Sequence, residues 1–99
     1  MPRELERIPF LTEITLEWAS GRREARISDL SMGGCYIDTI ASIPEGEKVS
    51  FEISTADGRE MPFSGTVAYV LDGFGFGVKF DDLNESQREF LNGVIAAKQ

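Results

Sequence analysis

At 99 residues and 41% apolar content, the chain has the size of one domain with a single modest core. Histidine is absent and Cys35 is the only cysteine, which excludes a histidine base, most zinc chemistry and an internal disulfide. A net charge of −7 argues against non-specific nucleic-acid binding, no apolar run reaches the ~18 residues of a membrane span, and the polar start from Pro2 to Arg7 lacks a signal-peptide core, so the expected location is cytoplasmic.

Residues 1–9 read as a flexible, irregular segment, charged and interrupted by Pro2 and Pro9. Over residues 11–18, Thr12, Ile14, Leu16 and Trp18 share one face while Glu13, Thr15 and Glu17 share the other, the pattern of a half-buried strand. Ser20-Gly21 marks a turn. A second strand over 23–30 puts Ala25 and Ile27 inward and Arg22, Glu24, Arg26 and Ser28 outward. Met32-Gly33-Gly34 breaks it, and a short strand resumes over 35–38. After a turn at Ile43-Pro44-Glu45-Gly46, residues 48–54 alternate through Val49, Phe51 and Ile53. Ala56-Asp57-Gly58 signals a hairpin.

The next strand, over 60–71, places Met61, Phe63, Gly65, Val67 and Tyr69 on one face, with Gly65 at a bulge or a close approach. Asp72-Gly73 turns the chain into a strand with Phe74, Phe76, Val78 and Phe80 on one side. Gly75 and Gly77 lie on the other, leaving room for a neighbour. Asn84 and Gln87 have capping-box spacing, and Phe90, Leu91, Val94 and Ile95 form a helical stripe. The sum is a mainly all-β fold: a small six- to seven-stranded antiparallel β-barrel over 10–80 with a C-terminal α-helix over 84–98, all one domain across 1–99.

Charge is unevenly spread. Residues 1–26 carry five arginines against five acids, while residues 27–99 carry five basic and twelve acidic residues. An anionic partner would be steered to the N-terminal arginines. Arg3 and Arg7 stand four apart before the first strand, and two guanidiniums can fork onto phosphate oxygens or guanine edges. The bland alternative is a solvated tail. Asp29-Leu30-Ser31-Met32-Gly33-Gly34 reads D-x-S-x-x-G. It is either a turn satisfied by its own side chains, with glycines at positive φ, or a polar cradle that a ligand approaches closely.

Arg22 and Arg26 repeat the four-residue spacing, but on a strand they lie ~13 Å apart, with Glu24 between them as a pairing partner. Cys35 and Trp18 read as core. Asp81-Asp82 reads as solvated acids ahead of the helix rather than a metal pair. Ser31 has no histidine to activate it, so no catalytic constellation is present and the chain is not expected to be an enzyme.

R-x-x-x-R at Arg3 and Arg7, then a strand, then D-x-S-x-x-G at Asp29, Ser31 and Gly34, then further strands and a helix, resemble the PilZ domain over nearly the whole chain. The resemblance implies a receptor for the bacterial second messenger cyclic di-GMP. Its site residues would be Arg3, Arg7, Asp29, Ser31, Gly33 and Gly34, with no metal and no further cofactor. Ligand-induced ordering of the N-terminal arginines would relay binding to a downstream protein partner. In the family, an arginine directly before the motif is associated with a stacked nucleotide pair. Pro2 holds that place here, which implies one nucleotide. The rival within the family is a non-binding protein–protein adaptor. A third reading, a small barrel that binds nucleic acid, conflicts with the net charge and the lack of a basic aromatic surface.

Overall fold

In the computed structural model, which describes residues 7–98, the first strand starts earlier than its alternation suggests. β1 spans Ile8–Trp18 and is followed by β2 (Gly21–Leu30), β3 (Gly34–Asp38), β4 (Lys48–Ser54), β5 (Glu60–Leu71), β6 (Gly75–Phe80) and one helix, α1 (Glu85–Lys98). Residues 8 and 9, expected in the flexible segment, are therefore strand, and the barrel begins at Ile8 rather than at residue 10. Ile8 is buried and pairs with Leu30, which anchors the start. Pro9 sits beside an irregularity between Pro9 and Thr12, the kind of position at which a strand tolerates proline.

The six strands close in the order β1-β2-β3-β6-β5-β4, every neighbouring pair antiparallel. Closure comes through Glu17 opposite Ser50 and Trp18 opposite Val49. Leu16, Ile27, Ile37, Ile53 and Phe76 are fully buried inside. Phe63 stacks on Phe80 with ring centroids 5.0 Å apart and meets Phe90 of α1 at 6.0 Å, so the helix covers the aromatic end of the barrel. Among the described residues, no helix is long and apolar enough to cross a membrane.

Two further bulges change which way side chains point. Ile27 pairs with Ile37 and Asp29 with Tyr36, leaving Ser28 as the extra residue. Val67 pairs with Val78 and Tyr69 with Gly77, leaving Ala68 as the extra residue. Each extra residue flips the alternation beyond it. Leu30 is thereby buried and Asp29 turns outward, and Tyr69, expected on the inner face, is 43% exposed. Phe74 also departs from its expected inner face. It belongs to the β5–β6 turn, donating its N–H to Leu71 O at 3.0 Å, and is 74% exposed. Gly65 marks a close approach to β6 without a bulge, since a Cβ there would lie 2.6 Å from Lys79 O.

The capping box forms as read. Asn84 Oδ1 accepts from Gln87 N and Gln87 Oε1 accepts from Asn84 N, both at 2.8 Å. Gln87 Nε2 also donates to Pro62 O at 2.8 Å, tying the start of α1 to β5. Asn84→Ala removes the cap and should cost about 1 kcal/mol of stability, read as a lower urea midpoint with unchanged slope. An unchanged midpoint would mean that α1 is held by its apolar stripe alone.

Candidate functional site

The β2–β3 turn is built around one hydroxyl. Ser31 is buried; its Oγ accepts from Gly33 N at 3.2 Å and Gly34 N at 3.1 Å and donates to Gly34 O at 3.2 Å. Ser31 N donates to the same Gly34 carbonyl at 2.8 Å. Phe80 N donates to Gly33 O at 2.9 Å, joining the turn to β6. Gly33 and Gly34 are not among the glycines at positive φ. What Gly34 needs is absence of bulk: a Cβ there would sit 2.0 Å from Val78 O. The Ser31 and Gly34 positions of D-x-S-x-x-G are thus explained by the turn itself, with Ser31 as its organiser.

Asp29, turned outward by the Ser28 bulge, receives Arg7. Arg7 Nη1 donates to Asp29 Oδ1 at 2.5 Å, across 22 positions of sequence. The two side chains are 42% and 35% exposed, so the pair is partly wet. Arg7, which the sequence leaves without an obvious fixed acid, therefore has one. Arg3 lies outside the described residues.

Beside this pair is a recess of about 250 Å³, lined by Arg7, Ser31, Gly33, Gly34, Tyr69, Gly77 and Lys79 among others. Tyr69 and Lys79 belong to neither motif. Tyr69 faces outward only because of the Ala68 bulge. Its ring lies over Gly77, where a Cβ would come within 2.3 Å of it, and 6.2 Å from the ring of Tyr36. The signal available for Lys79 was its strand parity, opposite to Val78 and Phe80.

A larger open groove of about 890 Å³ runs over the outer faces of β1, β2 and β4. It suits an anion poorly. Glu13, Glu17, Glu24 and Glu52 line it, and its two arginines are engaged, Arg22 with Glu17 and Arg26 with Asp38, each at 3.5 Å. Those partners differ from the Glu24 expected from sequence, because cross-strand register sets Glu17 opposite Arg22 and Asp38 opposite Arg26. Asp81 likewise is no solvated bystander: it accepts from Lys48 Nζ at 3.1 Å and Thr66 Oγ1 at 3.2 Å.

Cys35, the second residue of β3 and the partner of Leu30 across to β2, is fully buried. Burial raises its thiol far above the ordinary range; the nearby Asp29 charge raises it further, while Arg7 acts the other way. Only the unfolded chain ionises near pH ~8.5, so it binds fewer protons there, and folding stability should fall as pH rises through that range. Iodoacetamide at pH 8 should leave folded protein unmodified and label it in denaturing urea. Rapid labelling of the native protein would show that β3 opens.

A search of curated proteins finds no match. Among solved structures, a crystal structure of the PilZ domain of CeSA from a cellulose-synthesizing bacterium is similar in fold. Its TM-score is 0.72 at 21% identity, covering 93% of this chain and 96% of that one. The family model described as PilZ domain matches residues 2–97, a span that takes in both motifs, the closed barrel and the helix. With that match running from the arginine segment into the last turns of α1, the chain belongs to the PilZ domain family, a family of cyclic di-GMP receptors.

Proposed function

We propose that this chain is a binding module for cyclic di-GMP, held by Arg3, Arg7, Asp29, Ser31, Gly33 and Gly34, and that binding rearranges the segment before β1 to engage a protein partner. The observation that carries the reading is the Arg7–Asp29 contact at the rim of the recess, where the two motifs meet. A half-exposed ion pair contributes only ~0–1 kcal/mol. Charge-assisted hydrogen bonds from a guanidinium to phosphate are stronger, ~1.5–3 kcal/mol each. Arg7 therefore transfers to an anionic ligand at small cost, and the freed Asp29 carboxylate accepts from a guanine N–H edge. Ser31 serves by holding the turn, which lets the ligand lie close against Gly33 and Gly34.

The recess, at about 250 Å³, falls below the ~300–1,000 Å³ usual for a ligand pocket. On this reading Arg3 adds a second cation to the ligand's contacts, and binding changes the surface a partner meets by no more than the ligand's preference for the bound arrangement. Titration calorimetry with cyclic di-GMP tests this: saturable heat with one nucleotide per chain is expected, and no response to a single-stranded oligonucleotide. Absence of binding would favour the adaptor reading. Exposed apolar residues at one end of the barrel support that alternative: Ile40 is 77% exposed, Leu71 51% and Phe74 74%.

A further inference from the structure

We infer that Lys79 is a phosphate-contacting residue of the recess, outside both motifs; this deepens the cyclic di-GMP reading and rests on it. Lys79 lies on β6, paired with Gly34 on one side and Thr66 on the other. Its exposed side chain therefore stands beside the D-x-S-x-x-G turn and lines the recess together with Arg7, Ser31 and Tyr69.

Charge pairing distinguishes the two cations of that recess. Arg7 is neutralised by Asp29. The acid nearest to Lys79 along the chain on its side is Asp81, and Asp81 is already held by Lys48 at 3.1 Å and Thr66 at 3.2 Å. Among the described residues, Lys79 has no acidic partner. In a chain of net charge −7, an unpaired ammonium at the recess is a local exception to a field that repels anions. An ammonium is a compact point charge with three donors, well suited to a phosphate that approaches over a glycine turn. Lys79 meets the anion before Arg7 leaves Asp29. It holds the phosphate from the β6 side while Arg7 contacts it from the β1 side.

The test is calorimetry with cyclic di-GMP at low and high salt, on wild type, Lys79→Gln, Lys79→Arg and Arg22→Gln, with circular dichroism to confirm folding. Lys79→Gln should bind five- to tenfold more weakly at low salt and show a flatter salt dependence. Lys79→Arg should stay within about twofold of wild type, because the charge is kept. Arg22→Gln removes the same net charge from the far groove and should change little. Wild-type affinity and salt dependence in Lys79→Gln would overturn the role of Lys79 alone. An equal loss in Arg22→Gln would overturn it too, as a general field effect. A wild-type protein that takes no cyclic di-GMP would overturn the proposed function and this inference with it.

Discussion

Replacing Gly34 by alanine should destabilise the fold by about 3 kcal/mol or more, against total stabilities of ~5–15 kcal/mol for such domains. The new Cβ would lie 2.0 Å from Val78 O and 3.3 Å from Lys79 Cα, both backbone atoms of the paired strand. A flexible side chain could move aside; a ladder carbonyl cannot move without parting β3 from β6. The opposite sign is expected at Gly93. A Cβ there meets nothing within 4 Å, and α1 should gain about 0.5–1 kcal/mol from Gly93→Ala. Urea midpoints of the two variants should therefore move apart, with Gly34→Ala well below wild type. A Gly34→Ala protein as stable as wild type, but unable to bind nucleotide, would show that the glycine serves the ligand and not the β3–β6 contact.

The second large effect concerns Arg7. Arg7→Ala should weaken cyclic di-GMP binding by about 5- to 150-fold, the ~1–3 kcal/mol of a lost charge-assisted guanidinium contact to phosphate. Stability should change by less than ~1 kcal/mol, because the Arg7–Asp29 pair is partly solvent-exposed. Asp29→Ala should also weaken binding, by removing a guanine acceptor. It frees Arg7 as well, so its loss should be smaller than that of Arg7→Ala. Arg22→Ala, at the repeated four-residue spacing, should alter affinity only slightly and less at high salt. A folded Arg7→Ala protein with wild-type affinity would remove the basis of the site. A larger loss from Arg22→Ala than from Asp29→Ala would move the site to the groove over β1 and β2.

The elements of this domain could be read from its residues because each relies on local chemistry. Period-two alternation marks Ile14 and Leu16 in β1 and Val49, Phe51 and Ile53 in β4 as inward-facing, and all five are buried. Asn84 and Gln87 satisfy each other's backbone N–H, so the start of α1 needs no distant partner. Cys35 is buried as its residue type suggests.

The site was legible only in part. Alternation counted from Ile27 would turn Asp29 into the core, and alternation counted from Val67 would do the same to Tyr69. The extra residues Ser28 and Ala68 reverse both. A bulge is a mismatch between two strands, set by what the partner strand presents, and one strand's own pattern does not carry it. Register likewise chose Glu17 and Asp38 over Glu24 as partners for Arg22 and Arg26. It also placed Lys79 beside Gly34. The alternating strand cores, the helix, its cap and the two motifs are legible in the chain because each is a property of neighbouring residues. That Arg7 meets Asp29, and that Tyr69 and Lys79 share their recess, follows from how the barrel closes, because contacts across 22 or more positions are set by strand register and not by neighbours in the chain.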